Sequence, residues 1–182
     1  IYVEKKESFA VKARELEEEL KSYLGISGLE KVRIFIRYDV EKISDEIFEK
    51  ACKSVFSEPP VDDLYLESFE MPENSRCFSV EYLPGQFDQR ADSCSQCIQL
   101  LTQGDRPIVK SAKIYVLKGD ISDSELESIK KYVINPVESR EASFEIPASL
   151  EEKHEMPDMV PTIDGFIKMT RPDFKPFIAK YG

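Results

Sequence analysis

The chain has 182 residues, 41% of them hydrophobic and 33% charged, the balance of an ordinary globular protein of one moderate domain or two small ones. Its formal net charge of −10 argues against nucleic acid as a partner, because phosphate neutralisation needs clustered Lys and Arg. No apolar run is long enough to span a bilayer and no leader is expected, so a membrane partner is not expected either. Four cysteines are too few for a disulfide scaffold of this length, and a cytoplasmic location is the expectation.

The chain opens on Ile1 rather than Met, already strand-like, which reads as a trimmed piece of something longer. "IYVEKK" is a short strand, and "SFAVKARELEEELKSYLG" a helix with Val11, Leu16, Leu20 and Leu24 at helical intervals. "KVRIFIRYDV" alternates Val32, Ile34 and Ile36 against Arg33, Phe35 and Arg37, the pattern of a half-buried strand. "SDEIFEKACKSVF" is a helix capped by Ser44, with Ile47, Phe48, Ala51, Cys52 and Val55 on one face. "VDDLYLESF" follows as a third strand.

The pattern then starts again. "CFSVEYL" is a strand, "RADSCSQCIQLLTQG" a helix, "IVKSAKIYVLKG" a strand and "SDSELESIKKYVI" a helix, with "SFEIP" as the candidate closing strand. "SDEIFEKACKSV" aligns with "SDSELESIKKYV", and "KVRIFIRYD" with "SAKIYVLKGD". The expected fold class is therefore α+β: a duplicated β-α-β-α-β unit of roughly 75–80 residues, repeat one over 1–70 and repeat two over 76–147. One unit has too little core to be comfortable alone, so the two are expected to join sheet edge to sheet edge or to stack their sheets. Residues 148–182 read as a linker and the start of a next region, with a helix capped by Thr170 near the end.

Chemistry-bearing residues are sparse. Cys94 and Cys97 form a lone C-x-x-C, but Ala91, Cys94, Ile98 and Leu101 share a helical face, which makes Cys94 a small core residue. His154 is the one histidine and lies among charged linker residues. No catalytic residue and no metal site are assigned. The conspicuous passages are "LPGQFDQRADS" (83–93) and "NPVESRE" (135–141). In the first, Pro84-Gly85 makes a turn and Asp88 or Asp92 caps the following helix, which leaves Gln86, Gln89 and Arg90 without a local task. In the second, Asn135-Pro136 stops a helix and an exposed loop follows.

"YLPGQFDQRADS" with the later "QC", "SAKIYVLKGDISD" and "YVINPVESREA" resemble the amino-terminal domain of the phosphoribosylformylglycinamidine synthases, also called formylglycinamide ribonucleotide amidotransferases, in their large single-chain form. The resemblance is long in the second repeat and looser in the first. It implies a domain like a fused dimer of the small PurS subunit, working in de novo purine biosynthesis. The whole enzyme would use ATP and magnesium to activate a formamide oxygen, displaced by ammonia from glutamine. This part would carry no cofactor and no activity of its own. Its implied partners are the synthetase and glutaminase domains of the same enzyme, with sheet edges free to pair with a second copy. Gln86 and Arg90 would touch substrate or the neighbouring core, supported by Asp88, Gln89, Ser93, Ser139 and Arg140. The competing reading is a free-standing small-molecule-binding or regulatory module of duplicated ferredoxin-like type.

Overall fold

The computed structural model describes residues 1–151 and 165–181. Residues Ile1–Glu151 form one unit, and the described residues past 164 belong to a second. In the first unit, β1 (Tyr2–Lys5) leads through a 3-10 turn at Glu7–Phe9 into α1 (Val11–Ser22), β2 (Leu29–Glu41), α2 (Asp45–Ser54) and β3 (Asp62–Tyr65). β4 (Ser75–Tyr82), α3 (Gln89–Thr102), β5 (Ile108–Gly119), α4 (Asp123–Val133) and β6 (Ser139–Ala142) follow. The helix starts obey local chemistry. Ser44 accepts the Ile47 N–H at 3.4 Å, and Ser122 accepts the Glu125 N–H while the Glu125 carboxylate accepts the Ser122 N–H, a full capping box.

All six strands form one antiparallel sheet in the order β3-β1-β2-β5-β4-β6. Of the two expected arrangements, the edge-to-edge one is present, and there is one sheet rather than a stacked pair. The joint is β2 against β5, paired from Leu29↔Gly119 to Glu41↔Ile108. These are the two longest strands, and leaving either as an edge would expose a long row of unpaired backbone groups. Instead the outer positions fall to β3 and β6, four residues each. The strand order reads the same from either edge when β1, β2 and β3 are exchanged for β4, β5 and β6.

The core lies mostly between the sheet and its helices. Ala13 and Leu20 of α1 and Ile129 of α4 pack with Val32, Phe78, Tyr115 and Leu117 of the strands. Ala51 and Cys52 of α2 join Cys94 and Ile98 of α3 over Val3 and Tyr38. Each cluster draws on both halves of the chain, so neither half closes its own core. The expected faces of α2 and α3 hold, apart from Leu101, which is exposed.

The strand "KVRIFIRYDV" was expected to be buried on one side only; its centre is buried on both. Phe35 is fully buried on the face away from the helices, where Phe69 stacks on it at 4.2 Å and Tyr65 meets it edge-on at 5.9 Å. Burying such a ring contributes about 1.5–3 kcal/mol. Phe69 can reach it because β3 ends at Tyr65, and Glu67 takes φ +60 to turn the chain back across the sheet. Arg37 is buried beside it. Its guanidinium donates to Asp39 and to the carbonyls of Ser143 and Glu145, at 2.9, 2.9 and 3.2 Å.

That contact corrects the closing strand. "SFEIP" is not a strand but the segment that Arg37 holds against the sheet. The sixth strand lies just before it, at Ser139–Ala142, overlapping the stretch expected to be an exposed loop. Its four residues carry no apolar alternation because it is an outer strand, held by backbone pairing to β4 and by Arg140 against Glu81. Residues just past 147 still pack on this unit: Leu150 is buried and its N–H donates to Glu41 at 2.6 Å. His154 lies outside the described residues. In the second unit, α5 spans Phe174–Tyr181, and Thr170 donates its N–H and hydroxyl to Asp173 at the start of that helix.

Candidate functional site: a cleft over the central strands

β4 delivers the chain to a tight turn. The Gln86 N–H donates to the Leu83 carbonyl at 3.0 Å, and Gly85 sits at φ +87, a backbone conformation open to glycine at no steric cost. Asp88 then does two things. It caps α3 by accepting the Ala91 N–H at 2.9 Å, and it accepts the Ser111 N–H at 3.0 Å together with the Ser111 hydroxyl. One carboxylate thus fixes the first turn of α3 to β5. Of the two capping candidates, Asp88 is the cap; Asp92 pairs with Arg106.

The second polar stretch meets the first. The Leu83 N–H donates to the Glu138 carbonyl at 2.9 Å, and Tyr82 lies opposite Ser139 in the β4–β6 register. Asn135 shapes this segment: its carbonyl accepts the Glu138 and Ser139 N–H groups, and its side-chain oxygen accepts the Val137 N–H at 3.2 Å. The turn after β4 and the stretch after α4 are therefore neighbours, although about fifty residues separate them in sequence.

Both border one cleft of about 580 Å³ on the helix side of the sheet. Its floor is Ile36, Val80 and Tyr115, and its walls carry Gln89, Arg90 and Ser93 from α3 and Asn135 and Ser139 from the other side. Of the seven residues singled out in the sequence, four line this cleft: Gln89, Arg90, Ser93 and Ser139. Gln86 is exposed on the turn and is not among its walls. Asp88 is a structural cap. Arg140 points the other way, since side chains alternate along a strand, and it bonds Glu81 at 2.7 and 2.8 Å.

Two cleft residues escaped the sequence reading. Lys113 lies on the same face of β5 as Tyr115 and Leu117, a charge on the core-facing side of a strand. That break in the alternation was a usable signal. The residue is exposed overall, but partial burial of its ammonium end pushes it below the ordinary lysine value, and Lys12 and Arg90 push the same way against the pull of Glu138. Tyr38 is the other. Arg90 donates to its hydroxyl at 3.3 Å, and burial pushes that phenol above its usual value.

Cys94 and Cys97 also border the cleft, and both are free thiols. Burial pushes Cys94 up to about 11, against the Tyr38 hydroxyl and the charge of Arg90. A thiol so held is a poor nucleophile at neutral pH, which removes the support for a redox C-x-x-C. Among the described residues no three His, Cys, Asp or Glu side chains are placed to hold a metal ion. Nor is any helix among them long and apolar enough to cross a membrane.

The rim is apolar. Phe87 is 69% exposed and Val137 77%, one on each of the two joined stretches, with Tyr82 beside them at the end of β4. The cleft offers exposed cations and amides over an apolar floor, with large apolar side chains exposed on the two stretches that border it. No family model, curated protein or solved structure matches the chain.

Proposed function

We propose that this chain is the amino-terminal, PurS-like domain of a phosphoribosylformylglycinamidine synthase, and that it works as an interaction and scaffolding domain rather than as a catalyst. The reading rests on the residues of "LPGQFDQRADS", "SAKIYVLKGDISD" and "YVINPVESREA". The single observation that carries the interaction role is the convergence of the first and third of these on one cleft with an exposed apolar rim. A surface that presents Phe87 and Val137 to water beside polar groups is the composition of a docking site.

Duplication belongs to the same proposal. The palindromic strand order, and the matching caps Ser44 and Ser122, support one unit copied and joined through β2 and β5. In the complete enzyme the domain would pack on the synthetase core with its rim and border the substrate or ammonia route, while ATP, magnesium and the glutaminase triad stand elsewhere.

The test is direct binding. The chain is titrated into a synthetase–glutaminase protein that lacks this domain. The wild type is expected to bind, and Phe87→Ser with Val137→Ser to weaken the complex by about 2–4 kcal/mol, as loss of two rim anchors would. Equal affinity of wild type and double variant, or no complex at all, overturns the proposal.

A further inference from the structure

We propose that the cleft is a binding site for a small phosphorylated molecule, its phosphate held between Arg90 and Lys113 and its body lying over the apolar floor. The inference stands on the cleft itself and does not require the ligase reading.

The charges are the first argument. This chain has 35 acidic against 25 basic residues, yet the cleft carries two cations that make no ion pair among the described residues. Arg33, Arg37, Arg76, Arg106 and Arg140 each hold a carboxylate. Arg90 holds none among the described residues; one bond to the Tyr38 hydroxyl is all its guanidinium makes. Asp88, two residues away, is occupied by Ala91 and Ser111. The Lys113 ammonium makes neither an ion pair nor a hydrogen bond among the described residues, and Lys12 and Arg90 repel it. Glu138 is the one carboxylate acting on it; it lines the same cleft, is exposed, and makes no ion pair with the ammonium. Both side chains are exposed along the cleft, and like charges brought to one surface are relieved by a bound anion.

The donors are the second argument. Gln89 and Ser93 make no side-chain hydrogen bond among the described residues, and the Asn135 amide nitrogen is likewise uncommitted, its oxygen alone being used by Val137. A phosphate monoester brings a charge of about −1.5 to −2 and three acceptor oxygens, which matches two cations and these donors better than a carboxylate does. The volume is the third. About 580 Å³ is far more than a phosphate ion fills and falls in the range of small-molecule pockets, and Ile36, Val80 and Tyr115 give the remainder of the ligand an apolar bed.

The test titrates the 182-residue chain with inorganic phosphate, phenyl phosphate and benzoate, read by calorimetry and by amide shifts. Phenyl phosphate is expected to bind more tightly than phosphate, and benzoate at least about tenfold more weakly than phenyl phosphate. Arg90→Gln and Lys113→Gln should each weaken phenyl phosphate by about tenfold, with the largest wild-type shifts at Ser93 and Ser139. Arg76→Gln removes the same charge from another place and should leave the affinity unchanged. Thermal melts of all three variants show that they fold. The proposal is overturned by no binding up to about 10 mM, by benzoate equalling phenyl phosphate, by either cleft variant binding like the wild type, or by Arg76→Gln weakening binding as much as they do. Because binding is read on the chain alone, its failure leaves the docking test of the ligase reading untouched.

Discussion

Asp88 and Gln86 sit two residues apart in the same polar stretch and do opposite kinds of work. Asp88 accepts from Ala91 and twice from Ser111, whereas Gln86 is exposed and offers its side chain to solvent. Asp88→Ala should therefore cost about 1–2 kcal/mol, the loss of a helix cap, and more if Ser111 is left unsatisfied. Gln86→Ala should stay within about 0.5 kcal/mol. Chemical denaturation of both variants checks the pair, and equal effects would contradict these roles. The two cysteines divide in the same way. Cys94 is buried with its thiol up at about 11 and Cys97 is exposed. Iodoacetamide at mildly alkaline pH should alkylate Cys97 first and leave Cys94 unmodified in the folded protein, as peptide mass spectrometry would show. Comparable rates at both would restore the redox reading. At this scale the sequence was informative wherever a residue serves its own neighbours, as Ser44, Ser122 and Asp88 do. It was least informative where a residue serves a distant strand. Arg140 looked free because its partner Glu81 is 59 residues away, and Tyr38 looked like an ordinary strand residue until α3 was laid over it.

Among the elements, the long strands were the most legible. "IVKSAKIYVLKG" coincides with β5, and the alternation of β2 placed Val32, Ile34 and Ile36 on the helix side. The outer strands were not. β6 has no apolar face, and the stretch "VDDLYLESF" yields only four residues of strand before Leu66 leaves the sheet. Both end where side chains on the helix-free face need cover, Phe35 from Phe69 and Arg37 from residues 143–145. A single sequence does not announce such cover. The end of the central joint gives a sharp prediction. Gly28 and Gly119 close the β2–β5 ladder, and a Cβ on Gly28 would stand 2.0 Å from the Asp120 carbonyl oxygen. Gly28→Ala must push backbone against backbone, and it should destabilise the fold by about 1–3 kcal/mol. Thermal melting measures it, and an unchanged midpoint would mean that the joint is looser than drawn. Gly25→Ala is the control for space, since nothing lies within 4 Å there and its strain is that of φ +69 alone.

At the scale of the whole molecule, β2 and β5 do what neither half could do alone: they bury each other's edge and bring helices from both halves over shared clusters. From its size, half of the chain was expected to have too little core alone, and the shared clusters fit that expectation. The cleft was only half readable. Its two polar stretches stood out in the sequence, but their meeting depends on the Leu83–Glu138 bond and on β6, which carried no signal. The proposed interaction role rests on that meeting, with the cleft and the exposed side chains of Phe87 and Val137 as the surface that would meet another domain. The most direct measurement is amidine formation from formylglycinamide ribonucleotide by a synthetase–glutaminase protein lacking the domain, with this chain added back. Wild type is expected to restore glutamine-dependent activity, and Arg90→Ala to restore at most about a tenth of it. Equal restoration by both, or none by either, would contradict the account.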